Sequence, residues 1–273
     1  MTDFGGDRFA TGLAVTAAVD LAVFGGTWLV ARRIGRYNIV DVTWGLSFLA
    51  MTLAAFLWSA DIHGDNTRRI LVLAMTAVWA VRLAWHIGVR SRGHGEDPRY
   101  VAILRKAKGS VPAFALLRVF LPQALIAFVV SMPLQVAMYQ RGSRPVLDVL
   151  GALVFLKGFA FEVIGDAQLT HFIRTRASSA EVMDTGLWRY TRHPNYFGES
   201  LLWFGLWLPA AGDWRGLITV LSPVIVTYLV GFSTGKPLLE KGMARRKPAY
   251  ADYVARTSGF IPLPPRRRTG EAQ

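Results

Sequence analysis

The chain has 273 residues, 52% of them hydrophobic, with 31 Lys and Arg against 18 Asp and Glu and no cysteine. The missing cysteines exclude disulfides, thiolate zinc sites, iron–sulfur clusters and cysteine nucleophiles. A net charge of +13 on a soluble domain would suggest nucleic acid, but here the apolar residues come in long runs with the cations between them, so no nucleic-acid partner is expected.

Seven runs, 9–31, 39–60, 70–89, 114–138, 146–165, 196–211 and 216–235, approach the ~20 apolar residues that cross a hydrocarbon core. They predict an all-α, polytopic membrane helix bundle of about seven transmembrane helices. Of the 31 Lys and Arg, 22 lie in the segments after the first, third, fifth and seventh runs. The positive-inside rule then places the N-terminus outside and the C-terminus in the cytosol, with the cations meeting membrane lipids. The first run lacks a positively charged start, so it reads as a retained helix and not a signal peptide. Residues 1–262 read as a single integral membrane domain and 263–273 as a disordered basic tail.

The first run carries Asp20 near its middle, where a carboxylate is costly and is expected to pair within the protein. In the second, Asp41 lies about a turn inside the face. Its position suits a carboxylate at a helix start, or a polar group held in a substrate cavity. The third places Arg82, His86 and Arg90 at intervals of four, a basic stripe down one face that must line something wet or be paired. Asp20, Asp41 and Glu162 are the candidate companions of Arg82. The following loop, 92–110, holds Glu96, Asp97, Pro98, Arg99 and Tyr100 and reads as an interfacial helix over the site or as a loop staple. The fourth run is scaffold. The fifth carries Lys157, Glu162 and Asp166, the last two on one face.

The stretch 186–199 places Arg189, Arg192, His193, Asn195 and Glu199 where an apolar helix begins. Pro194 suits the first helical turn, so a helix is predicted from about His193. Anions are favoured at such a positive end, with a forked contact from Arg192. Asn195 and Glu199 share a face. Lipid headgroup anchoring is the competing reading, and Glu199 argues against it. Residues 236–256 form a basic helix with Glu240, Tyr250 and Tyr253, fit either to lie on the membrane or to meet a ribose and phosphates. Neither a Gly-x-Gly-x-x-Gly turn nor a phosphate-loop lysine motif occurs. The histidines show no three- or four-residue spacing, so no metal is expected.

The Arg192-His193-Pro194-Asn195-Tyr196 core resembles the signature of the steroid 5-alpha-reductase family in its bacterial branch, a superfamily shared with sterol reductases and isoprenylcysteine carboxyl methyltransferases. Segments 38–45, 79–86, 96–100 and 162–172, Tyr250 with Tyr253, and Phe260-Ile261-Pro262 extend the resemblance over most of the chain. It implies an NADPH-dependent reductase of an activated C=C bond in a hydrophobic substrate: a lipid, a steroid-like molecule or an isoprenoid. Asp41 would stand where steroid-reducing relatives hydrogen-bond the substrate carbonyl, with Arg82 and Trp79 as the other catalytic candidates. Residues 70–91 contain no tyrosine, and Trp79 is the nearest match to the one those relatives carry. Asp166 and Arg174 would belong to the cofactor site with Arg189, Arg192, His193, Asn195, Tyr196 and Glu199, and Glu240, Tyr250 and Tyr253 would close it. The alternatives are S-adenosylmethionine-dependent methyl transfer to a lipid or prenyl group, and a non-catalytic membrane protein that keeps the fold.

Overall fold

The computed structural model describes residues 4–62, 64–233 and 235–266, so most of the tail expected over 263–273 lies outside the described residues. Among these, regular structure is helical and no strand forms; Phe4 with Gln140 and Thr191 with Ser258 make isolated bridges. The helices are α1 (Gly6–Ile34), α2 (Val40–Trp58), α3 (Asn66–Arg90), α4 (Pro98–Leu104), α5 (Val111–Val130), α6 (Met132–Tyr139), α7 (Pro145–Thr175), α8 (Pro194–Trp207), α9 (Trp214–Ser233), α10 (Lys236–Arg246) and α11 (Tyr250–Arg256).

Five of these, α1, α2, α3, α5 and α9, are long and apolar enough to cross a membrane. Two of the seven expected spans fall outside that set for physical reasons. Helix α7 is interrupted by Lys157, Glu162 and Asp166. Helix α8 has 14 residues, about 21 Å at 1.5 Å per residue, short of the ~30 Å hydrocarbon core.

The chain divides into two compact units, Met1–Asp148 with Leu206–Ser222, and Val149–Gly205 with Pro223–Gln273. In the first, α1, α2 and α3 follow one another through short connections. Gly35, with φ +70°, ends α1 in the left-handed conformation. Asp65 caps α3 by accepting from the Thr67 and Arg68 N–H groups. Two buried arginines open α3. Arg68 donates to Asp148 at 3.2 Å and the Gly142 carbonyl at 3.0 Å, and Arg69 to the Phe56 carbonyl at 2.6 Å and Ser59 at 3.1 Å. In α5 the turn Leu116–Phe120 is widened just before Pro122, whose ring displaces the Arg118 carbonyl and whose nitrogen cannot donate.

The second unit is built on backbone contact between α7 and α8. A Cβ on Gly198 would lie 2.5 Å from the Glu162 nitrogen, and one on Gly158 2.3 Å from the Leu202 nitrogen. The chain returns at its C-terminal end to the start of α8. Arg192 N donates to Ser258 O at 2.9 Å, the Thr191 hydroxyl to Phe260 O at 2.8 Å, and Leu263 N to Tyr190 O at 3.0 Å.

Candidate functional site

Helix α8 begins at Pro194, where the missing N–H costs nothing, and this fixes the residues just before it against the C-terminal helices. Arg192 is buried and its guanidinium forms a fork with Glu240, Nε to Oε1 at 2.8 Å and Nη2 to Oε2 at 3.4 Å. Nη1 donates to the carbonyls of Thr257 at 2.6 Å and Val254 at 3.3 Å. Four of its five N–H donors are thus engaged. The open phosphate contact expected of Arg192 therefore gives way to an internal clamp that joins α8 to α10 and to the end of α11.

His193 lies beside the same carboxylate, Nε2 to Glu240 Oε1 at 3.1 Å, and its ring runs nearly parallel to Tyr196 with centroids 5.4 Å apart. Burial opposes charge on Glu240, but hydrogen bonds from His193 and Arg192 and the Arg192 charge outweigh it and hold the carboxyl down at about 2. Burial also lowers His193, helped by the Lys236 and Arg192 charges, against the hydrogen bond to Glu240. A neutral His193 beside an ionised carboxylate must donate from Nε2, which leaves Nδ1 as an acceptor. The Tyr253 hydroxyl donates to the Trp188 carbonyl at 2.6 Å, and the Tyr250 ring packs 5.9 Å from it. Burial raises both phenols, with the Glu240 charge adding to it at Tyr250, so both keep their protons.

Both shifts in the clamp make acid destabilising. His193 binds its proton more readily unfolded, so stability falls as pH drops below 6.5 through the lowered folded value. The Glu240 contribution is full above 4.5 and is lost as pH falls toward 2. We expect detergent-solubilised protein to lose melting temperature between about pH 7 and about pH 5, and His193→Gln to flatten that interval. An unchanged slope in the variant would assign the effect to another group.

In the first turn of α8, Asn195 donates from Nδ2 to Asp166 Oδ1 of α7 at 3.0 Å. A carboxylate accepts, which fixes the amide and leaves Oδ1 of Asn195 buried without a hydrogen-bond partner. The Tyr250 hydroxyl is buried beside Arg192 and Glu240. Glu199 is half-buried one turn further along α8. Arg174, in the last turn of α7, and Arg189 are exposed. Every cofactor candidate thus lies in the second unit, with Arg192, His193, Tyr196, Glu240, Tyr250 and Tyr253 in one cluster and Asn195 with Asp166 close along α7 and α8.

The three catalytic candidates lie in the first unit, where each has a different setting. Trp79 of α3 is fully buried against Phe48, ring centroids 5.7 Å apart. Arg82 is half-buried one turn on. Asp41, in the first turn of α2, accepts from Arg99 at 2.9 Å and from the Tyr100 hydroxyl. Asp97 caps α4 and sets Arg99 and Tyr100 in place. Glu96 ties the same loop to the connection before α2, accepting from the Tyr37 and Asn38 nitrogens at 2.5 and 2.9 Å. Residues 70–91 hold no tyrosine, and the one that meets Asp41 comes from α4, within the Glu-Asp-Pro-Arg-Tyr run. Burial, then the Asp41 charge, raises Tyr100, which stays a hydrogen-bond donor. Among the described residues no group of three His, Cys, Asp or Glu side chains could hold a metal ion.

These features define a polytopic helical membrane protein with a buried polar cluster at the start of a short, partly apolar helix. Residues 27–257 match the family described as a protein of unknown function, DUF1295, and the chain belongs to that family, part of the steroid 5-alpha-reductase-like superfamily. The chain is similar to a Schizosaccharomyces pombe protein described as uncharacterized protein C594.04c, 24% identical over 260 residues that cover 86% of this chain and 75% of the relative. No solved structure matches the chain.

Proposed function

We propose that this protein is an integral membrane oxidoreductase that uses NADPH to reduce an activated C=C bond of a lipid, steroid-like or isoprenoid substrate, with its C-terminus and cofactor site on the cytosolic side. The observation that carries the reading is the buried Asn195 Oδ1 without a partner, beside an Asn195–Asp166 contact that fixes its direction. A buried acceptor of this kind calls for a donor, and the carboxamide of a nicotinamide is one. The buried Tyr250 hydroxyl offers a second polar contact in the same unit.

Bound NADPH supplies the hydride. The chain's own residues position and polarise. Asn195, with Asp166 behind it, orients the carboxamide, and Tyr196, Glu199 and Tyr250 shape its surroundings. Arg192, His193 and Glu240 act as the clamp that holds Tyr250 and Tyr253 against α8, while the exposed Arg174 and Arg189 are the cations left to meet phosphates. In the first unit, Tyr100 keeps its proton and Asp41 is its acceptor. Exchange of that hydrogen bond for one to a substrate carbonyl draws electrons from the C=C bond and stabilises the negative charge that the added hydride leaves on the oxygen, and a proton from water at the alpha carbon completes the reduction. Arg82 and Trp79 serve the same substrate as a fixed cation and a packed wall.

A second reading, methyl transfer from S-adenosylmethionine, draws support from Glu240 followed by the buried Tyr250 and Tyr253. Melting temperature in detergent with NADPH, NADH or S-adenosylmethionine added separately distinguishes the two. We expect NADPH to stabilise, and Asn195→Ala to need about tenfold more of it, the equivalent of one hydrogen bond of ~1.4 kcal/mol. Stabilisation by S-adenosylmethionine alone overturns the reductase.

A further inference from the structure

A cavity lies within the first unit, at the opposite end of α2 from Asp41. It encloses about 930 Å³ and is lined by the start of α1, the turn after α2, the α5–α6 junction, Arg141 and the start of α9. Helix α2 has 19 residues, so about 28 Å of rise separates its two ends. None of the residues discussed for the reductase lines it.

Its chemistry is two-sided. The walls are apolar, with Phe4, Phe9, Ile62 and Val136 among them. Three arginines face two aspartates in the lining, leaving one positive charge in excess. Arg8 is paired with Asp61. Arg215 lies over the rings of Phe4 at 4.8 Å and Trp214 at 5.0 Å, and Arg141 donates Nε to the Ile62 carbonyl at 3.2 Å. Neither Arg141 nor Arg215 forms a salt bridge among the described residues. A guanidinium set in apolar surroundings beside a bilayer is favourable when it meets an anion, which it binds through forked hydrogen bonds. The cavity continues onto a lipid-facing rim where Trp214, Ile218 and Leu221 are 63%, 59% and 62% exposed. Tryptophan at such a rim suits the level of lipid headgroups.

We propose that this cavity binds one monoanionic phospholipid drawn from the surrounding leaflet, its phosphate between Arg141 and Arg215 and its acyl chains leaving across Trp214, Ile218 and Leu221. The size falls within the ~300–1,000 Å³ of small-molecule sites, enough for head group, glycerol and the first part of the chains. The single excess charge matches one phosphate diester. A zwitterionic lipid brings an ammonium that the arginines repel.

Nanodiscs containing equal phosphatidylglycerol and phosphatidylcholine, followed by native mass spectrometry of the released protein, provide the test. Wild type should retain phosphatidylglycerol, and the double variant R141Q/R215Q should lose at least tenfold of that retention, while R141K/R215K, which keeps the charge without the fork, falls between the two. Equal retention of both lipids by wild type, or unchanged retention in R141Q/R215Q, overturns the proposal. Should the Gln variant fail to fold, brominated phosphatidylglycerol added to wild type should quench a fluorescence component that is absent from Trp214→Phe; no such component overturns the site. Retention of added palmitate in place of phosphatidylglycerol would assign the cavity to a free fatty acid and likewise overturn the phospholipid.

Discussion

Gly198→Leu is expected to unfold the second unit. A Cβ at this position would stand 2.5 Å from the Glu162 nitrogen and 2.6 Å from the Gly158 carbonyl oxygen, both backbone atoms of α7 that no rotamer change can move aside. The neighbouring contacts are of the same kind. A Cβ on Gly158 would meet Leu202 N at 2.3 Å, and one on Gly205 would meet Phe155 N at 2.3 Å. Even Gly198→Ala must push the helices apart. Overpacking costs roughly 1–3 kcal/mol, more than the ~1 kcal/mol of helix propensity that alanine gains over glycine. The leucine variant exceeds this and separates Asp166 from Asn195, so the amide loses its anchor along with the fold. Gly25→Ala and Gly26→Ala in α1 are the controls, since a Cβ there meets nothing within 4 Å and propensity alone should act. Melting temperature and monodispersity in detergent report the outcome. A Gly198→Ala protein that melts with wild type would mean that α7 and α8 do not touch through their backbones.

The same contact shows where the sequence was legible. Hydropathy runs marked α1, α2, α3, α5 and α9, because lipid-facing helices advertise themselves through composition. Pro194 marked the start of α8. Helices α7 and α8 follow a different rule: their association rests on close backbone approach, and the available signal was glycine at intervals of seven, Gly151, Gly158 and Gly165 on one helix and Gly198 and Gly205 on the other. Hydropathy does not register that spacing. At the start of α8, the Arg-His-Pro-Asn-Tyr run marks residues that the structure buries beside Glu240, but a motif reading treats each charge as facing outward. The pairing of Arg192 with Glu240, 48 positions away, and of Asp41 with Tyr100, 59 positions away, is a tertiary fact. Asp41 is one of three candidate companions of Arg82 in the sequence, and the loop after α3 also brings Arg99 and Tyr100 to it. Arginines near a helix start look like interfacial cations in a sequence, yet Arg68 and Arg69 are both buried, Arg68 on the Asp148 carboxylate and the Gly142 carbonyl and Arg69 on the Phe56 carbonyl and Ser59.

Arg192→Ala should be the most damaging single change among the site residues. It strands the Glu240 carboxylate, which sits in a partly desolvated cluster, and removes the donors to the Thr257 and Val254 carbonyls. Breaking a buried ion pair from one side costs about 3–5 kcal/mol, most of it the uncompensated partner left behind. Arg192→Lys should recover little, because a point charge on a flexible stem cannot supply the fork to Glu240 and the two carbonyl bonds at once. The double variant Arg192→Met with Glu240→Leu removes both charges together and should melt above Arg192→Ala, because it leaves no charge stranded. Trypsin gives a second readout, since α10 and α11 carry Lys241, Arg245, Arg246 and Arg256. In wild type the clamp holds these helices to the start of α8, and in Arg192→Ala cleavage there should precede loss of the remaining helix signal. If the alanine variant were cleaved and melted like wild type, the Arg192–Glu240 fork would be a surface contact worth under ~1 kcal/mol. Were the double variant as unstable as the single one, the damage would come from the lost carbonyl bonds, and Arg192 would act as a backbone staple more than as half of an ion pair.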